Sequence, residues 1–169
     1  MRVVCYCKDC QAFIKHLGKQ KEVFDGNGGT DIYQMPPRNF KITQGIDQIR
    51  CLRLTEKGLH RWYTGCCNTP IGNTLSAKFP FIGLIQNFVC DKDANSAMGP
   101  VKTYAHRQSA QPPISKSFDK GMPTKKYLAQ LLLKLTYWRL RAFHRPSPLF
   151  NSRGKAIVEP KVLNKSQQN

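Results

Sequence analysis

The sequence predicts a mainly β, antiparallel domain, and three observations carry that prediction. Short β-prone segments, among them "TDIYQM", "IRCLRLT" and "HRWYTGC", follow one another closely and are separated by Pro-Pro, Gly and polar residues. That is the rhythm of hairpins rather than of βαβ units. At 169 residues and 40% hydrophobic content the chain is long enough for one domain with a core. Finally, helical periodicity is confined to two places, one directly after Cys10 and one late in the chain.

The elements follow in order. "RVVCYC" alternates and is β-prone, so a short strand leads into the first cysteines. Asp9 is placed to cap a short helix that presents Phe13, Ile14 and Leu17 on one face, with Gly18 where a left-handed C-terminal cap belongs. "DGNGGTD", Asp25 to Asp31, reads as a simple turn, since it lacks the Gly-Lys-Ser/Thr ending of a phosphate cradle. "TDIYQM", "NFKITQG", "IRCLRLT", "HRWYTGC", "TPIGNTL" and "FPFIGLIQNFVC" then carry the β pattern to about Cys90, and "DKDANSAMGP" reads as a linker. The expected organisation is a β-domain over residues 1–100 and a basic C-terminal extension over 101–169. A helix is expected near 124–144, capped by Thr124, with Leu128, Leu131, Leu132, Leu135 and Trp138 at helical spacing and Pro146 and Pro148 beyond its end.

The charge is uneven. Of the net +17, residues 1–100 hold 13 Lys and Arg against 8 Asp and Glu, while 101–169 hold 14 against 2. Such asymmetry points to nucleic acid, an anionic membrane surface or another polyanion as a partner of the basic tail, a solvated tail being the commoner explanation. The late helix, with Lys125, Lys126, Lys134, Arg139 and Arg141 around its leucines, is read first as packed on its own β-domain and second as lying on an anionic membrane. Met1–Val4 offers no long apolar leader, and no run approaches the roughly 18 apolar residues of a spanning helix. The default expectation is a cytoplasmic protein whose seven cysteines are mostly reduced, so that clustered ones are metal ligands or reactive thiols.

Three of those cysteines fall within "CYCKDC". Residues two apart on a strand share a face, so Cys5 and Cys7 can aim at one point while a turn at Lys8 and Asp9 swings Cys10 back toward it. Three converging thiolates favour Zn2+, with sulfur about 2.3 Å from the metal, and three protein ligands leave a fourth position open. The alternative is three partly buried thiols without metal.

"VCYCKDCQAF" together with "RWYTGCCNTPIGNT" resembles the family of glutathione-dependent formaldehyde-activating enzymes, which also includes proteins similar to centromere protein V. The resemblance covers roughly Arg2 to Ile85 and lies closest to a divergent, uncharacterised branch. It implies an Mss4-like β-fold, a substrate-facing zinc on Cys5, Cys7 and Cys10, and a carbon–sulfur lyase acting on glutathione or a similar thiol and a small aldehyde. It also implies a structural zinc held by an upstream Cys-x-Cys and a later Cys-x-x-Cys. Here Cys67 matches the last of those four, Thr64 stands where its partner should be, and Cys66, displaced by two residues, is the candidate substitute. The upstream pair has no counterpart before Met1, so a shortened start lacking its opening strand is expected, with an unpaired sheet edge as its consequence. The rival expectation is a non-catalytic zinc module whose basic tail binds nucleic acid or another polyanion.

Other residues are given lesser roles. Cys51 and Cys90 read as small core residues, and His60 as a surface or satisfied histidine beside Trp62 and Tyr63. His16 is a candidate for the outer shell of the metal. Lys8 is a candidate to attract a substrate carboxylate. No general base is assigned.

Overall fold

The computed structural model describes residues 1–88, 94–115 and 121–164. Cys90 and the first residues of the expected linker lie outside these. The alternating segments become strands β1 (Arg2–Cys5), β2 (Thr30–Met35), β3 (Ile49–Arg53), β4 (His60–Thr64), β5 (Pro70–Thr74) and β6 (Ile82–Ile85), joined later by β7 (Val101–Ala105) and β8 (Lys161–Val162). Helices are few: α1 (Lys8–His16), α2 (Gln20–Val23), α3 (Ala94–Met98) and α4 (Thr124–Leu140). The protein is therefore mainly β, with a short helix after the cysteine cluster and a basic helix toward the C-terminus.

Among the described residues the eight strands form one sheet in the order β7-β1-β2-β6-β5-β4-β3-β8. The six inner strands pair antiparallel, whereas β7 runs parallel to β1 and β8 parallel to β3. Both edge strands thus come from beyond residue 100. β1 lies between β2 and β7, so the side of β1 that was expected to stand open is paired, with Tyr6 N–H extending the ladder to the Ala105 carbonyl at 3.0 Å.

Alternation gives the sheet two covered faces. On one, Cys51, Trp62, Ile82 and Leu84 form a cluster with Leu149 and Phe150 from the C-terminal segment. On the other, Leu52, Leu54 and Ile85 pack under Phe13, Ile14 and Leu17 of α1. Cross-strand partners share a face, and the pairs Val3–Ile32 and Ile32–Ile85 place the inner side of β1 on this same helix-covered face. α4 also packs there, through Tyr127 against Val3, Cys10 and Ile32.

Three expected details differ. "NFKITQG" forms no strand: single 3-10 turns at Pro37–Asn39 and Ile46–Gln48 flank it, Pro36 and Pro37 offer no N–H to a ladder, and Gly45 is left-handed at φ 71°. Phe40 still buries its ring in the core, with Ile42 packed against the cluster, so the apolar pattern was real although the segment joins no strand ladder. α1 is capped by Cys7 rather than Asp9, because the helix starts at Lys8 and leaves Asp9 in its first turn. α4 has Pro123 at its N-cap with no side-chain bond, making Thr124 its first helical residue, and it ends at Leu140 ahead of a left-handed Ala142.

Gly18 behaves as expected, left-handed at φ 70° just after α1, its N–H bonded to the Lys15 carbonyl at 3.0 Å. The "DGNGGTD" turn is organised by Asp25, whose Oδ1 accepts from the N–H groups of Asn27 and Gly29 at 2.8 Å each. At Gly29 a Cβ would lie 2.6 Å from Asp25, Tyr6 and Val4, so only glycine fits that close approach.

Candidate metal centre

Cys5 closes β1, Cys7 follows in extended conformation, and the first turn of α1 carries Cys10 back over both. Tyr6, between the first two, points the opposite way. It is fully buried, and its hydroxyl donates to Asp25 Oδ2 at 2.7 Å. The period of two thus separates a tyrosine anchor from two cysteines that share the helix-covered face. The helix, rather than a loose turn, returns the third. All three Sγ atoms lie within 4.8 Å of one another. The edges of a tetrahedron around zinc at 2.3 Å are about 3.8 Å, so the group can hold a metal with small side-chain adjustments.

Each neighbour has a reason to be there. Cys7 Sγ accepts the Cys10 N–H at 3.4 Å, which makes it the N-cap of α1 and sets its sulfur at the positive end of the helix. Gln11 is buried and ties the site down, donating to the carbonyls of Tyr6 and Ser109 at 2.8 Å each. Tyr127 packs in the same cluster as the three cysteines, with Leu131 beside it, and donates to Gln34 Oε1 at 2.5 Å. Arg61 reaches across from β4, only 2% exposed, with its guanidinium 5.5 Å from the centroid of the Phe13 ring and 3.7 Å from Asp9 Oδ2.

The thiols divide their protons unequally. Hydrogen bonds from Cys10 and then Cys5 pull the Cys7 thiol far below its ordinary value, and the Arg61 charge adds to this. Cys10 is pushed up by donating to Cys5 and Cys7 and by burial. Cys5 is pulled down by the bond from Cys10 but pushed further up by donating to Cys7 and by burial, so it ends raised. The hydrogen bonds thus favour the thiolate form on Cys7 and the protonated form on Cys5 and Cys10.

The remaining candidates lie elsewhere. Cys66 and Cys67 sit exposed in the turn between β4 and β5, with sulfurs 3.3 Å apart and Cys67 Sγ 3.1 Å from the hydroxyls of both Thr64 and Thr69. Among the described residues, Cys5, Cys7 and Cys10 are the group that brings three potential ligand atoms together, and neither Cys66 nor Cys67 belongs to it. His16 is exposed in the last turn of α1, six residues and about 9 Å along the axis from Cys10, outside the group. Lys8 is exposed in the first turn of α1. Cys51 is a core residue at 3% exposure, its thiol pushed up to about 12 by burial. His60 is buried and satisfied, 2.6 Å from Arg53 and stacked on Trp62.

A family model covers residues 1–161, nearly the whole chain, including β7 and α4 and ending at the first residue of β8. The chain belongs to DUF6151, a family of unknown function. No curated protein and no solved structure matches it. The family's span takes in both Cys5–Cys10 and the C-terminal segment that roofs them. Arg61, Gln11 and Tyr127 escaped the sequence reading. The one signal was an arginine inside "HRWYT", where a charge on a strand otherwise rich in large apolar residues asks for a buried partner.

Proposed function

We propose that this DUF6151 protein is a zinc-thiolate protein whose metal, held by Cys5, Cys7 and Cys10, takes a thiol of the glutathione type at its fourth position. The observation that carries the reading is the convergence of three sulfurs, one of them the N-cap of α1, within 4.8 Å at a strand-to-helix junction. Soft sulfur donors in that number suit zinc better than oxygen-seeking cations. When bound, zinc supplies a Lewis acid that favours the thiolate form of an entering thiol at neutral pH. The chain's own residues orient the site: Gln11 fixes the junction, Tyr127 and Leu131 cover one side, and Arg61 supplies a fixed positive charge.

A carbon–sulfur lyase activity on a thiol–aldehyde adduct is the reaction class that the resemblance to glutathione-dependent formaldehyde-activating enzymes suggests, and it stands as part of this proposal. The test is cobalt substitution. Cobalt bound to the three cysteines should give thiolate charge-transfer and tetrahedral d–d bands, and adding glutathione should change the d–d bands. Bound cobalt with a spectrum unmoved at millimolar glutathione would overturn the thiol-binding reading while leaving the metal assignment intact.

A further inference from the structure

The helix α4 has apolar side chains on two opposite sides. Tyr127, Leu131 and Trp138 face inward, the first and last of them buried. Leu128, Leu132, Leu133 and Leu140 are exposed by 54%, 65%, 72% and 81%. At 100° per residue these four centre on the side away from Tyr127 and Trp138. A helix needs one apolar stripe to sit on its own sheet, so the second stripe is surplus to the fold.

We propose that the outward leucine face of α4 docks on an anionic membrane surface. Charge decides between occupants. From Gly121 to Val158 the sequence has eight Lys and Arg and no Asp or Glu. Lys125, Lys126, Lys134 and Arg139 are exposed on α4 itself, and Arg141 directly after it. Lys102 of β7 and Lys134 both press on the Met1 ammonium, so the positive field extends onto the neighbouring edge strand. A second copy would bring the same uncompensated charges against these, whereas anionic headgroups neutralise them while the leucines enter the acyl boundary. No described helix is long and apolar enough to cross a membrane. α4, with 17 residues and about 26 Å of length, therefore lies in the interface plane, with Lys125, Lys126 and Arg139, which flank the leucines, extending their charged ends to the headgroups. This inference does not depend on the metal or on the thiol.

The test sediments the full chain with phosphatidylcholine vesicles, with and without phosphatidylserine. Co-sedimentation with the phosphatidylserine vesicles alone is expected. The double variant Leu132→Glu with Leu133→Glu should abolish it, and Lys125→Gln and Lys126→Gln should weaken it about fivefold per charge removed. Both leucines are exposed, so the double variant should keep the wild-type circular dichroism spectrum; if it does not, Leu128→Gln with Leu140→Gln makes the same test more gently. The proposal is overturned by no binding to phosphatidylserine vesicles, or by binding that a folded leucine variant retains. A wild-type dimer in gel filtration that the leucine variant converts to monomer would also overturn it, assigning the face to a second copy. So would binding to a nucleic-acid duplex without binding to vesicles.

Discussion

The two cysteine-rich segments, Cys5–Cys10 and Cys66–Cys67, differ in what the backbone does between the sulfurs. In the first, an extended residue pair and a helical turn point three thiols at one another beneath α4, and their mutual hydrogen bonds make them share protons. In the second, two adjacent residues sit on an exposed hairpin turn, and the nearest polar partners of Cys67 are the hydroxyls of Thr64 and Thr69. These hydrogen bonds, with that from Cys66, pull the Cys67 thiol down to about 6. Both segments thus contain an acidic thiol. Only the first brings a third sulfur within ligating distance, and that separates a group that can hold a metal from a reactive surface thiol.

The sharpest way to break this contrast is one serine in each segment. Cys7→Ser should bring metal content from about one equivalent per chain to near zero, because serine can still cap α1 through its hydroxyl but offers no thiolate to the metal. Cys67→Ser should leave it unchanged. Elemental analysis of both proteins, purified without chelator, decides it, and equal metal in the two would end the assignment. The next effect is in pH. At neutral pH Cys5 and Cys10 hold their protons, so metal entry displaces two, and apparent affinity should fall about a hundredfold for each unit the pH is lowered. The exposed segment behaves differently. Thiolate on Cys67 forms as pH rises through about 6, so its alkylation rate should climb over that range with or without metal. A competitive chelator titration gives the first slope, and mass-resolved alkylation the second.

How far the sequence spoke depended on the distance between partners. β2 coincides with "TDIYQM" because its alternation is realised as alternating burial. The cysteine triad was legible because its three members span six residues and a strand's period of two does most of the aiming. The parallel edges were not, since β7 meets β1 about a hundred positions away and nothing in "VKTYA" names its neighbour. "NFKITQG" misled because Phe40 and Ile42 pack into the core without joining a strand, and local pattern cannot tell burial from strand pairing. The leucines of α4 announced a helix, yet spacing alone could not say that Tyr127 and Trp138 would take the inner side and leave four leucines outside. Arg61 was illegible for the same reason as the edges: Asp9 and Phe13, its partners, are about fifty residues upstream.

Arg61 sets the smallest and most discriminating prediction. Its charge lies under the triad, so a simple view has Arg61→Met weakening the metal site by removing a cation that favours thiolate. The proton count argues otherwise. Without metal the triad carries one negative charge, on Cys7; with zinc, three thiolates and a divalent cation again sum to one. Exchanging two protons for zinc leaves the charge that Arg61 sees nearly unchanged. Metal affinity at fixed pH should therefore move by less than about threefold. An entering thiolate does change that charge, from one negative to two, and should lose the benefit of Arg61, roughly 1 kcal/mol at the effective dielectric of a protein site, or about fivefold in glutathione affinity. Methionine retains an unbranched stem to pack against Phe13, so the readout is electrostatic. Measuring metal affinity and glutathione affinity on the same Arg61→Met protein separates the two effects. A large loss in the first with none in the second would mean that Arg61 positions α1 through Asp9 and Phe13 rather than serving the charge of the site.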